Sequence, residues 1–425
     1  MNKNSVKYTA YVQILKEELI PAMGCTEPVA IAYAAAKARV VLGIIPERVL
    51  IQASGSLIKN VKSVIVPNTG NMKGIEAAAA AGIVAGVPER ELEVISRVSV
   101  EQIQAIQAYV KAADIQVEHI EDGHVFDIIL TAYAGDSWTR VRISDYHTNI
   151  VWIEKDGRAL WKQEAQQGQD GRGVDRTLLN LADIYDFAHT CDIRDVSEVL
   201  ERQIKYNTAI AEEGLRGEYG ANVGRTLLKA YGNGILTRVK AKAAAGSDAR
   251  MNGCEMPVVI NSGSGNQGIT CSVPVIEYAE ELGASHEQLL RALALSNLIA
   301  IHEKTGIGTL SAYCGAVSSA AGAGGGIVYL CGGDYKAVSD IITSLLATIS
   351  GIVCDGAKAS CASKIAESVD MAMLGFHMWK NGQTFRSGDG LVAEDVEHTI
   401  RNIGRLGRVG MKETNNEIIA MMINT

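Results

Sequence analysis

Three cysteines set among small residues constrain this chain more than any other feature. Cys314 stands in Ser311-Ala312-Tyr313-Cys314-Gly315-Ala316, Cys354 in Gly351-Ile352-Val353-Cys354-Asp355-Gly356, and Cys361 follows shortly after. The Gly, Ala and Ser residues around them leave room for a backbone or an inorganic core to approach closely. Soft thiolates gathered in a dry pocket suit an iron–sulfur cluster or zinc. Three ligands rather than four leave one metal position open, which metal-assisted chemistry requires. The competing reading is plain packing, because free cysteine is among the most buried residue types. The spacing matches no compact zinc-finger or ferredoxin run, so the other motifs have to decide.

The chain has 425 residues, 47% hydrophobic and 21% charged, with a net charge of −8. That is enough for a large core and, as a soft prior, two to three domains. No Lys/Arg-rich run occurs, so a nucleic-acid partner is not expected. The acidic balance fits small-molecule work. Cysteines stand at 25, 191, 254, 271, 314, 331, 354 and 361. Met1 to Lys7 lacks the apolar stretch of a signal peptide. The expectation is therefore a cytoplasmic protein whose thiols are reduced, metal-bound or catalytic, not a disulfide framework. The uncharged run Ala312–Leu330 is long enough to be mistaken for a membrane span. It holds glycines at 315, 322, 324, 325 and 326 and little Leu, Ile or Phe, so it reads as a buried helix or glycine-rich turn, with no membrane association.

Hydrophobic periodicity predicts an α+β fold: a mainly helical catalytic domain carrying a small inserted α/β domain with a mostly antiparallel sheet. The helical domain is discontinuous, 1–88 and 168–425, and the insert spans 89–167. Within the insert, 92–95 is strand-like and 100–112 helical. Residues 115–119, 125–133, 138–144 and 149–153 read as strands, with a hairpin at Asp156-Gly157. The insert holds Trp138, Trp152 and Trp161 but no cysteine, which suggests a structural or oligomeric role. Residues 162–176, rich in Gln and Gly, read as a linker. Helices follow over 178–190, 196–213, 225–231, 235–245, 273–282, 285–304, 335–349 and 362–374.

Four further features bear on chemistry. In Gly24-Cys25-Thr26-Glu27-Pro28, Thr and Pro are helix-start signals, so Cys25 sits just ahead of a helix N-terminus. The N–H groups and dipole there favour a thiolate and a lowered pKa, unless the cysteine is simply tucked under a cap. Val66 to Gly74 is a polar loop feeding a helix, a place where Asn68 and Thr69 would meet a carboxylate or form nothing but a turn. Asn261-Ser262-Gly263-Ser264-Gly265-Asn266-Gln267-Gly268 makes a tight loop whose donors, from Asn261, Ser262, Ser264 and Asn266, can surround an anion. Neither a Walker lysine nor a strand–GxGxxG–helix context accompanies it, and a plain turn competes. His302 closes a helix, as a cap or as an acid/base group. Lys73 and Lys304 read as solvated charges first and anion partners second.

Together, Gly24-Cys25-Thr26-Glu27-Pro28, the Asn261–Gly268 loop, Cys314-Gly315-Ala316 and Cys354-Asp355-Gly356 resemble the L-cysteine desulfidases, relatives of the alpha chain of bacterial iron–sulfur serine dehydratases. The resemblance spans nearly the whole chain. It implies a [4Fe–4S] cluster, no pyridoxal phosphate, and conversion of L-cysteine to pyruvate, ammonia and sulfide. It implies Cys314 and Cys354 as cluster ligands and points to Cys361 as the third, at shorter spacing than in the serine dehydratases. Cys25 competes for that place or serves as the base. A homo-oligomer is expected. The alternatives are a serine dehydratase-like ammonia-lyase, a pyridoxal-phosphate lyase, for which no Schiff-base lysine stands out, and a non-catalytic zinc- or metabolite-binding protein.

Overall fold

Small residues decide how closely the helices of this protein pack. In the computed structural model, which describes residues 1–121, 124–163, 173–308 and 310–423, Gly315–Leu330 is one helix, buried from Ala316 to Val328. Each glycine in a helix costs about 1 kcal/mol against alanine. Here the cost is offset by backbone contact. A Cβ on Gly322 would run into the carbonyl of Ser296, and one on Gly326 would lie 3.0 Å from the carbonyl of Ala292. Both carbonyls belong to the neighbouring helix His286–Ile307. The same device recurs at Gly214 against Ala245 and at Gly82 against Ala32. The run that resembled a membrane span is thus a buried helix of the bundle, and no described helix is long and apolar enough to cross a membrane.

The fold is α+β and mainly helical, as expected. At the centre of the bundle lies Ile235–Met251, packed by Ser197–Arg216, Gly265–Leu282 and Cys361–Lys380. A two-stranded antiparallel sheet, β1 (Pro21–Met23) with β8 (Pro257–Val259), ties the N-terminal segment to it. The second sheet comprises β2 (Arg48–Ser54), β3 (Asp114–Ile120), β4 (Asp127–Ala134), β5 (Ser137–Ser144), β6 (Ile150–Lys155) and β7 (Arg158–Lys162), in the order β3-β2-β4-β5-β6-β7. Among the described residues only β2 and β3 pair in parallel. Buried Val49, Ile51, Ile128, Leu130, Val141 and Ile143 alternate along the three central strands, giving the sheet one apolar side, and the helix Thr26–Leu42 packs on β4 and β5.

Three sequence expectations change. The sheet is not confined to 89–167, because β2 precedes that segment and pairs with both β3 and β4. Residues 92–95 form no strand: Pro88–Glu93 is a 3₁₀ turn with Glu91 at φ 48. The helix expected from Val273 begins at Gly265, with Pro274 inside it. Pro274 is carried in the helix interior, where its missing N–H costs one ladder bond. Helices Val396–Arg405 and Lys412–Ile423 were not anticipated. Of the linker read over 162–176, residues 164–172 lie outside the described residues.

Gly322→Ala provides a test of the packing argument. Helix propensity alone favours it by about 1 kcal/mol, whereas pressing a methyl into the Ser296 carbonyl costs about 1–3 kcal/mol. Net destabilisation in chemical denaturation is expected; an unchanged or raised midpoint would refute close backbone contact there.

A cavity of four thiols at four helix N-termini

Four helices begin at one cavity of about 110 Å³. Cys25 is the N-cap of Thr26–Leu42. Ser264 is the N-cap of Gly265–Leu282 and Cys314 that of Gly315–Leu330. Cys361 is the first residue of Cys361–Lys380. All four residues line the cavity, and so does Cys354. The last is carried by a short antiparallel bridge, Tyr313 with Val353. There the Cys354 N–H donates to Ala312 O at 2.7 Å and the Cys314 N–H to Ile352 O at 2.9 Å. Gly356, at φ 96, turns the chain after Cys354; a Cβ on it would strike the carbonyl of Lys59.

The thiols differ in character. Cys314 shares its proton with Cys354, which pushes Cys314 well up and holds Cys354 well below the usual thiol range. The ammonium of Lys59 also favours the Cys354 thiolate. Lys59 is almost wholly buried, donating to Asn415 Oδ1 at 2.8 Å and to the Cys354 carbonyl at 3.2 Å. Burial pushes Cys361 up. It pushes Cys25 up to about 12, only partly opposed by Arg250. This corrects the expectation of a lowered Cys25 pKa. The cysteine does stand at a helix start, but desolvation of a fully enclosed thiolate outweighs the dipole.

The donor set fits an iron–sulfur cluster. Ligands of one zinc ion each lie about 2.3 Å from it, so their sulfurs stand within twice that of one another. Among the described residues, no three of these cysteines bring their sulfurs within 4.8 Å of one another; the group that meets this spacing is the exposed set Glu394, Asp395 and His398, remote from the cavity lining. Thiolates binding different irons of one cluster are spread more widely, and four helix N-termini favour a negatively charged core.

The other expected site residues divide. Ser262, Ser264 and Asn266 line the cavity, on a turn with Ser262 at φ 49 and Gly263 at φ 77. Thr26 Oγ1 fastens this turn by donating to Gly263 O at 2.9 Å. Asn261 points inward, donating to Asn297 Oδ1 at 3.0 Å, so it shapes the turn from behind. Asn68 and Thr69 are off the cavity wall: Asn68 Nδ2 donates to Ile95 O and Thr69 Oγ1 to Val66 O, each at 2.7 Å. His302 is also off the wall, its Nε2 paired with Glu397 at 2.9 Å. Lys304 does line the cavity.

Sequence reasoning missed Arg250 and His147, and it quoted Glu27 and Gln267 within their motifs without giving them a role; all four are on the wall. Arg250 ends an alanine-rich helix with no acid three or four residues away, the one signal that its charge is met elsewhere. His147 sits on the loop between β5 and β6, against Gly263. The sheet therefore contributes a cavity residue, which a structural or oligomeric role does not cover.

With this geometry in view, the comparisons define a class. The serine dehydratase alpha chain family matches residues 89–420. The chain belongs to that family, a lyase family of the serine dehydratase type. Its relatives include a UPF0597 protein of Desulfitobacterium hafniense, 55% identical over 100% of this chain and 99% of that one. Others are UPF0597 proteins of Lachnoclostridium phytofermentans, 49% identical over 98% and 100%, and Treponema denticola, 43% identical over 100% of both.

Gly356→Ala should displace Cys354 without removing a ligand. Metal affinity is expected to fall by about ten- to hundredfold, the usual effect of disturbing a ligand's support. Iron and sulfide retained against a graded chelator after anaerobic reconstitution would measure it. Wild-type retention would mean that Cys354 is not held by this turn or does not bind the metal.

Proposed function

We propose that this protein is an iron–sulfur lyase that eliminates sulfide from L-cysteine, giving pyruvate, ammonia and hydrogen sulfide. The observation that carries the reading is the convergence of Cys314, Cys354 and Cys361 on one cavity with the Ser262–Asn266 turn. In this reading those three cysteines hold a [4Fe–4S] cluster. When bound, the cluster supplies a Lewis-acidic iron that stabilises the departing sulfide.

The chain's own residues do the rest. The Ser262–Asn266 turn and the first-turn N–H groups of Gly265–Leu282 orient the carboxylate. Cys25 accepts the proton from Cα. Burial pushes this thiol up to about 12, with Arg250 only partly opposing it, so Cys25 must first lose its own proton before it takes the one from Cα. Loss of that proton and of the sulfur leaves aminoacrylate, which tautomerises and hydrolyses to pyruvate and ammonium.

The family match supports a second reading, dehydration of L-serine by the same elimination with hydroxide as leaving group. Pyruvate formation by anaerobically purified protein separates the two. The first reading expects kcat/KM for L-cysteine to exceed that for L-serine by at least about tenfold, a difference of 1.4 kcal/mol in barrier. A preference for serine would select the second, and turnover of neither would sink both. Cys25→Ala is expected to keep its iron and lose about 10²–10⁴-fold in kcat, the usual worth of a positioned base. Loss of iron in that variant would instead place Cys25 among the ligands.

A further inference from the structure

Arg250 is 3% exposed, yet its charge is in no ion pair among the described residues. Its Nη1 donates to Asn266 Oδ1 at 3.2 Å. Its Nε is buried without a hydrogen-bond partner. Among the described residues no carboxylate lies within ion-pair distance of it; nearby Asp248 accepts from the Gly224 N–H instead. Leaving a buried charge unpaired costs several kcal/mol.

The guanidinium is also pressed against a second positive feature. A Cβ on Gly265 would collide with Arg250 Nε, so only glycine allows the arginine to lie across the first turn of Gly265–Leu282. That turn presents unsatisfied N–H groups and the positive end of the helix dipole. Two buried positive groups side by side repel unless an anion joins them. Asn266, Gln267 and Ser264 surround the same spot on the cavity wall, and Gln267 Oε1 is buried without a partner. A carboxylate would take the planar fork of the guanidinium in two parallel hydrogen bonds. The amide of Gln267 leaves an acceptor for an ammonium beside it.

We propose that Arg250 is the residue that binds the α-carboxylate of the substrate, with Gln267 facing its amino group, so that the cavity selects free 2-amino acids over their amides and esters. This rests on the amino-acid lyase reading above, and its test is chosen to be read without turnover.

Cluster-loaded protein is titrated anaerobically with L-alanine, which has the carboxylate and ammonium but no leaving group, and with L-alaninamide. The wild type should prefer the acid. Arg250→Gln should weaken L-alanine by at least about thirtyfold, as loss of one partner of a buried charge pair does, and should bind acid and amide alike with iron content unchanged. Arg250→Lys should restore part of the preference, a point charge replacing a fork. If Arg250→Gln does not fold by circular dichroism, the lysine variant alone decides, and an undiminished preference for the acid overturns the proposal. Equal binding of L-alanine by wild type and Arg250→Gln overturns it. So does a wild type that binds neither ligand. Lost iron with unchanged L-alanine affinity also overturns it, since Arg250 would then balance the cluster's charge instead. Arginine-dependent binding of L-alanine with no pyruvate from cysteine or serine upholds the anchor while removing the lyase reading.

Discussion

Four helices aim their positive ends at the same small space, and much else in the structure follows from that. The N-termini at Thr26, Gly265, Gly315 and Cys361 bring partly charged N–H groups together, an arrangement that repels itself unless something negative sits between. Thiolates, a carboxylate and a negatively charged cluster are all suited to that place. The chain supplies the first from Cys25, Cys314, Cys354 and Cys361. Burial pushes Cys25 and Cys361 up, the proton shared with Cys354 pushes Cys314 up, and Cys354, faced by Lys59, is held well below the usual thiol range.

Convergence at that point requires backbones to come unusually close, and this explains the composition. The helices that start at the cavity meet their neighbours through glycine. Gly268 fits against the carbonyl of Val259, Gly315 against Gln267 and Gly322 against Ser296. Larger residues would part the helices and spread the cysteines. The small residues around the cysteine motifs are therefore as much about bundle spacing as about room for an inorganic core.

The residues that line the cavity were legible in advance only unevenly. Cys25 reads as a helix-cap cysteine from Thr26 and Pro28, and it is one. Ser262, Ser264 and Asn266 read as donors on a tight turn, and they line the cavity. Asn68, Thr69 and Asn261 have the same polar character but bond to Ile95 O, Val66 O and Asn297 Oδ1, because a side chain that bonds within the protein is indistinguishable in sequence from one that faces a ligand. His302 pairs with Glu397, which lies on a helix that the pattern did not reveal. The Cys25 pKa went the wrong way because the dipole is local and readable, whereas desolvation depends on every element that covers the thiol.

By itself the sequence determined the local elements: alternating strands, capped helices, a glycine-paved run too small in side chain to cross a membrane, and cysteines at helix starts. Those follow from backbone sterics, hydrogen bonding and periodicity over a few residues. Only the tertiary structure decided that β2 joins the later strands and that His147 reaches the cavity from the sheet. It alone placed Arg250 beside the Gly265 helix start and Lys59 beside Cys354. Such pairings span tens to hundreds of residues, and their energies come from burial and charge in three dimensions, which no short stretch of chain encodes.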